Sequence, residues 1–148
     1  MCRIAVEDGI RIIVATPHML NGMFLVERVD VLQGVEGMSR ALCEASIPLQ
    51  VLPGADVHLD RSVIDCLERG ELITLADLGR HLLLELPQDI VPEGTGELLF
   101  QVQLKGVTPI ITHPERNIAI QQNPAILNDL VRAGCLTQIT AGSLTGTF

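Results

Sequence analysis

The feature that most constrains this chain is a recurring unit in which a helix-like segment is followed by a strand-like apolar run. The spacing of apolar residues predicts helices over 2–8, 27–45, 61–69, 95–105 and 124–133. Short apolar runs predict strands over 10–15, 49–52, 80–86, 108–112 and 136–140, with a further short strand over 55–59 and a loop over 16–24. Strands that alternate with helices indicate βαβ units and therefore an α/β protein with a mostly parallel sheet or barrel.

Composition narrows the class of protein. The chain has 148 residues, which suffices for a single domain over 1–148 but is short of the ~250 residues of a complete βα barrel. The net charge of −8 argues against binding to nucleic acid or to an anionic membrane surface, because both need a basic face. The apolar runs are strand-sized and no signal-peptide core is evident, so we expect a cytoplasmic protein without a membrane span.

Four potential metal ligands stand at the ends of apolar runs. His18 and His113 each follow a β-branched stretch and a threonine, with proline beside the histidine, and Asp56 and Glu85 follow two further runs. These residues are separated by 38, 29 and 28 positions, about the length of one βα unit. In a parallel βα protein they would meet at the carboxyl edge of the sheet, where such folds place their chemistry.

The chemistry of this set favours a transition metal. Imidazole nitrogen combined with carboxylate oxygen suits Mn²⁺, Fe²⁺ or Zn²⁺ better than Ca²⁺. Glu85 is the strongest carboxylate candidate because it lies inside a run of leucines, where an uncompensated charge would be costly. His58 and His81 are assigned structural roles or the opposite strand face, and we do not expect them to be ligands.

The segment around His113 carries further polar residues. Arg116 lies three positions later, close enough to bind a substrate oxyanion, although a surface ion pair with Glu115 is the simpler alternative. Glu115 and Asn117 are interpreted as residues that support the site or begin a helix.

Several motifs together resemble the PHP (polymerase and histidinol phosphatase) superfamily, and within it the bacterial capsule and exopolysaccharide tyrosine phosphatases of the CpsB/YwqE type. The resemblance spans nearly the whole chain, and its most specific pieces are His113–Asn117 (HPERN) and Thr140–Leu144 (TAGSL). The supporting pieces are AVEDGI at 5–10, ATPH at 15–18, LPGADV at 52–57, LELP at 84–87 and LFQVQLKG at 99–106.

This resemblance implies a fold, a cofactor and a substrate. The fold would be a partial form of the distorted seven-stranded βα barrel, and the cofactor a multinuclear metal centre, usually of manganese. The matched positions make His18, Asp56, Glu85 and His113 metal ligands and Arg116 the residue that steadies the phosphate. The substrate would be phosphotyrosine on a protein partner, typically the tyrosine autokinase that controls polysaccharide export.

The chain also departs from the family pattern. Asp56 occupies a position where the family commonly has glutamate, which keeps the charge on a side chain one methylene shorter. The family's opening His-x-His strand and closing Asp-x-His strand are expected before Met1 and after Phe148. We therefore expect an incomplete metal site, and open sheet edges that favour homo-oligomers.

The sequence leaves several alternative functions open. The chain could be another PHP phosphoesterase such as a histidinol phosphatase or a nuclease, a non-catalytic module that binds an autokinase or export complex, or a βα fragment without a function of its own. A cysteine phosphatase is excluded, because the C-x₅-R signature requires an arginine six residues after a cysteine and none of the four cysteines has one.

Overall fold

The computed structural model describes residues 1–20, 22 and 26–146. Its strands are β1 (Ile12–Ala15), β2 (His18–Met19), β3 (Gln50–Pro53), β4 (Asp56–His58), β5 (His81–Glu85), β6 (Thr108–Thr112) and β7 (Leu136–Gln138). Its helices are α1 (Cys2–Glu7), α2 (Arg28–Glu44), α3 (Val63–Glu68), α4 (Thr95–Leu104), α5 (Ile118–Gln122), α6 (Ala125–Arg132) and α7 (Ala141–Leu144), with 3₁₀ turns at Leu75–Asp77 and Pro114–Arg116.

The strands form two parallel sheets. One is a five-stranded sheet with the order β2-β4-β5-β6-β7, and the other pairs β1 with β3. Every strand pair in the described residues is parallel. The predicted α/β class with a mostly parallel sheet is thus confirmed, whereas closure into a barrel and a single domain over 1–148 stay predictions.

The two sheets are joined by one strand pair that is interrupted on both strands. Ala15 is in register with Pro53 before the interruption, and His18 is in register with Asp56 after it. Pro17 cannot donate to the ladder, but its carbonyl accepts a hydrogen bond from the Asp56 amide at 3.0 Å. The prediction of a continuous loop over 16–24 is therefore wrong at β2, while residues 21, 23 and 24 of that loop lie outside the described residues.

Gly54 allows the close approach that this interruption needs. A Cβ atom built on Gly54 would lie 2.7 Å from Cγ1 of Val14, closer than real Cβ contacts come. The two strands can therefore approach this closely at Gly54 only because no side chain is present there. Asp56, two residues later, begins β4.

Two short helices of the structure are not predicted from the sequence. Helix α5 has 5 residues and α7 has 4, too few for a helical period to show against neighbouring segments. The last strand is shorter than predicted: β7 ends at Gln138 rather than at residue 140, and Thr140 is the N-cap of α7. The other predicted helices and strands are present with ends that shift by a few residues.

The core lies on both faces of β5. Leu82 and Leu84 are fully buried on one face, and Leu83 is buried on the other. This burial on both faces explains the uninterrupted leucine run, since a strand covered on both sides need not alternate with polar residues. In contrast, all three residues of the edge strand β7 are exposed. In the part of the chain that the structure describes, no helix is long and apolar enough to cross a membrane.

Replacing Leu84 with alanine tests this core. Leu84 has no exposed surface, so Leu84→Ala should lower the free energy of unfolding by about 2–5 kcal/mol through lost burial and a cavity. Urea denaturation monitored by circular dichroism would measure this loss.

Leu78→Ala is the matched control, because Leu78 is 66% exposed and the same substitution there should change the free energy of unfolding by less than about 0.5 kcal/mol. Equal losses at the two positions would contradict the placement of the core.

Candidate metal centre

Neighbouring parallel strands bring the four predicted ligands together. His18 and Asp56 face each other in register at the start of β2 and β4. Glu85 ends β5, and His113 immediately follows β6. Because these strands are adjacent and run in the same direction, the side chains at the start of β2 and β4 meet those at and after the carboxyl ends of β5 and β6.

Two carboxylates and two imidazoles form the centre of this cluster. His18 Nδ1 lies 3.2 Å from Glu85 Oε2 and 4.0 Å from Asp56 Oδ2. His113 Nε2 lies 3.5 Å from Asp56 Oδ2 and 3.4 Å from Glu85 Oε1. Each carboxylate is thus shared by both imidazoles, and no member can shift without changing its distance to two others.

The arrangement fits a divalent transition metal. Among the described residues, His18, Asp56 and Glu85 each offer a ligand atom within 4.8 Å of the other two. Nitrogen and oxygen ligands lie about 2.0–2.2 Å from ions such as Zn²⁺, so two ligands of one ion stand roughly 3–4 Å apart. The mixed nitrogen and oxygen set agrees with Mn²⁺, Fe²⁺ or Zn²⁺.

A hydrogen bond from a threonine orients the side chain of Asp56. The residue is only 8% exposed, and its Oδ1 accepts a hydrogen bond from Thr112 Oγ1 at 3.0 Å. Asp56 is in register with Leu83 and Thr112 with Glu85, so this bond crosses β5 and connects β4 with β6. The bond occupies Oδ1 and leaves Oδ2 directed toward the two histidines.

The backbone of His113 adopts a conformation that is rare for residues other than glycine. Its φ of 34° and ψ of 49° lie in the left-handed region, and its amide donates to the Gln138 carbonyl at 2.7 Å. The side-chain hydrogen bond to Asp56 raises the pKa of His113, and the charges of Asp56 and Glu85 act in the same direction. Burial and the charge of Arg116 oppose this rise in pKa.

The 3₁₀ turn after His113 places Arg116 at the surface beside the cluster. The Arg116 side chain is 40% exposed, and its Nε lies 4.0 Å from Glu115 Oε1. The same Glu115 oxygen accepts hydrogen bonds from the Thr140 amide at 3.1 Å and from Ser143 Oγ at 2.7 Å. Glu115 therefore joins the HPERN and TAGSL segments, an interaction that their separation in the sequence conceals.

The sequence predicts no ligand role for His58, but the structure places it beside the cluster. Its Nδ1 lies 3.8 Å from Glu85 Oε2, so of its two predicted placements the opposite strand face is wrong, whereas a structural role stays a prediction. The signal that could have found it is the spacing of Asp56 and His58, since residues two apart on a strand point to the same face. His81 lies at the amino end of β5, four residues before Glu85 and away from the cluster.

Comparison with known proteins gives consistent matches over the whole chain. The sequence profile of the CpsB/CapC family, described as capsular polysaccharide synthesis, matches residues 1–148. The chain is 42% identical to the tyrosine-protein phosphatase YwqE of Bacillus subtilis (strain 168), over 100% of this chain and 58% of that protein. It is 34% identical to the putative tyrosine-protein phosphatase CapC of Staphylococcus aureus, over 97% of this chain and 56% of that protein.

A solved structure supports the same relationship. Crystal structures of YwqE from Bacillus subtilis and CpsB from Streptococcus pneumoniae are described as those of metal-dependent tyrosine phosphatases, and the matching chain superposes with a TM-score of 0.94 at 42% identity. The match covers 99% of this chain and 59% of that chain, so the protein spans under two thirds of the length of these relatives. On the combined evidence of sequence and fold, the chain belongs to the CpsB/CapC family.

Proposed function

We propose that this chain carries the metal-binding part of a phosphoric monoester hydrolase that acts on phosphotyrosine in a protein partner. The observation that carries the proposal is the cluster in which His18, Asp56 and Glu85 offer ligand atoms within 4.8 Å of one another, with His113 against both carboxylates. The relatives named as tyrosine phosphatases support the choice of substrate.

The four side chains would hold the metal, and His58 is positioned to join them through its proximity to Glu85. When bound, a divalent ion supplies Lewis-acid activation of the phosphoryl group and of the attacking water. Asp56 and Glu85 supply the negative charge that retains a cation, while the hydrogen bond from Thr112 keeps the Asp56 carboxylate in one orientation. His18 lies 3.2 Å from a Glu85 oxygen, and His113 lies 3.4 Å from a Glu85 oxygen and 3.5 Å from an Asp56 oxygen.

Arg116 is the residue that we propose binds the substrate phosphate. It stands three positions after His113 on the same turn, and its side chain is accessible from solvent. A guanidinium group can donate two parallel hydrogen bonds to phosphate oxygens and can stabilise the charge on the equatorial oxygens during in-line displacement. Arg116 would therefore orient the phosphate over the cluster.

The proposals for the metal, the protein partner and the cellular location follow from the family resemblance. We propose manganese as the physiological metal, with further ligands making the centre multinuclear in a longer protein. We propose a bacterial tyrosine autokinase of polysaccharide export as the phosphorylated partner, and the cytoplasm as the location. Homo-oligomers are proposed because every residue of the edge strand β7 is exposed.

Removing His113 tests the metal assignment. His113→Ala should weaken Mn²⁺ binding by at least about tenfold and should abolish any Mn²⁺-dependent hydrolysis of a phosphotyrosine peptide, since one side of both carboxylates loses its partner. Isothermal titration calorimetry and a phosphate-release assay measure the two effects.

His81→Ala is the matched control, because His81 begins β5 at the opposite end from Glu85 and should leave both measurements unchanged. Equal behaviour of the two variants, or hydrolysis by His113→Ala within a few-fold of wild type, would contradict the assignment. Faster hydrolysis of histidinol phosphate than of the peptide would instead favour a different phosphoesterase.

Removing Arg116 separates phosphate binding from metal binding. Arg116→Ala should lower turnover by roughly 100-fold or more, by analogy with the loss of a donor that stabilises developing charge, while Mn²⁺ affinity is retained. Arg116→Lys keeps the charge but not the bidentate geometry, so it should recover only part of the activity. Loss of Mn²⁺ binding in Arg116→Ala would show that its proposed role is wrong.

A further inference from the structure

Asn117, the last residue of the HPERN segment, has all its side-chain groups engaged inside the protein. The residue is 4% exposed, and its Nδ2 donates to the Pro87 carbonyl at 2.7 Å and to the Ile90 carbonyl at 2.9 Å. Its Oδ1 accepts from the Ile120 amide at 2.9 Å and caps helix α5. Two carbonyls and one amide as partners leave a single consistent orientation of the side-chain amide.

These bonds connect the segments that follow the neighbouring strands β5 and β6. Pro87 and Ile90 belong to the segment that follows Glu85 at the end of β5, whereas Asn117 lies four residues after His113 at the end of β6. A backbone bond from the Ile118 amide to the Gln88 carbonyl, at 3.0 Å, strengthens the same connection. The segments that carry two of the proposed ligands are thus tied together by buried hydrogen bonds.

This connection is needed because His113 does not hold its conformation by local preference. A residue with a Cβ in the left-handed region persists only where the surrounding structure fixes it. The Gln138 carbonyl holds the amide of His113 from the β7 side, and Asn117 anchors the turn from the β5 side. Removing one anchor should let His113 move relative to Glu85.

We propose that Asn117 is a positioning residue that sets the separation of His113 and Glu85, and that it contacts neither metal nor substrate. The proposal rests on the proposed function, because it assigns Asn117 to the support of the proposed metal centre. The competing interpretation is that Asn117 serves only to cap α5, in which case the bonds to Pro87 and Ile90 would have no effect on the centre.

The variant Asn117→Asp distinguishes the two interpretations. It is nearly isosteric and retains an oxygen that can accept from the Ile120 amide, which preserves the helix cap. It removes both donors and places a carboxylate against the carbonyls of Pro87 and Ile90. A capping role predicts unchanged Mn²⁺ affinity, whereas a positioning role predicts a loss of about 10–100-fold with the far-UV circular dichroism of a folded protein.

Gln103→Glu is the matched control. Gln103 Nε2 donates to the Ala133 carbonyl at 3.0 Å and ties α4 to the segment before β7, so this is the same amide-to-acid change at a long-range tie away from the cluster. Its Mn²⁺ affinity should stay within about twofold of wild type, because distant sites with no shared partners behave independently. If Asn117→Asp does not fold, the neutral variant Asn117→Ser, which keeps a capping oxygen but cannot reach both carbonyls, takes its place.

Amide hydrogen exchange without metal provides a readout that does not depend on the proposed function. Exchange at Ile118 should accelerate in Asn117→Asp, while Ile120 stays protected by the retained cap. Wild-type Mn²⁺ affinity in the folded variant would overturn the positioning role. Failure of the wild type to bind Mn²⁺ would overturn the proposed function, and unchanged exchange at Ile118 would then overturn the tie itself.

Discussion

The pairing of Asp56 and Glu85 is the constraint on which the rest of the centre depends. Parallel strands β4 and β5 bring two carboxylates to one place, and both are largely removed from water, with side chains 11% and 23% exposed. Two such groups repel each other and lose hydration, so they persist only with compensating partners. The imidazoles of His18, His58 and His113 surround them, and a bound cation would complete the compensation.

The register of one strand pair brings His18 and Asp56 to the five-stranded sheet. The offset between the paired residues is 38 positions both before the interruption, where Ala15 is opposite Pro53, and after it, where His18 is opposite Asp56. Pro17 lacks an amide donor on one strand, and Gly54 on the other strand permits the close approach to Val14. The register resumes with His18 opposite Asp56, which places both residues at the start of the second sheet.

Hydrogen bonds from the HPERN segment hold the segments that follow β5 and β7 in place. Glu115 binds the start of α7 through Thr140 and Ser143, and Asn117 binds the segment after β5. His113 and Arg116 lie on the same turn. The hydrogen bonds of Glu115 and Asn117 therefore hold both residues in place, toward the segment after β7 and toward the segment after β5. The motif is thus a structural junction as well as a source of a proposed ligand and a phosphate-binding residue.

The amino-acid sequence alone predicts the α/β class, the main helices and strands, and the candidate ligands His18, Asp56, Glu85 and His113. These conclusions follow from local information, namely apolar periodicity and polar residues that end apolar runs. The tertiary structure was needed to show that β2 forms and pairs with β4, that His58 lies near Glu85, and that Asn117 joins the segments after β5 and β6. Such contacts connect residues about 30 positions apart, and their geometry depends on strand register and backbone direction, which no local pattern specifies.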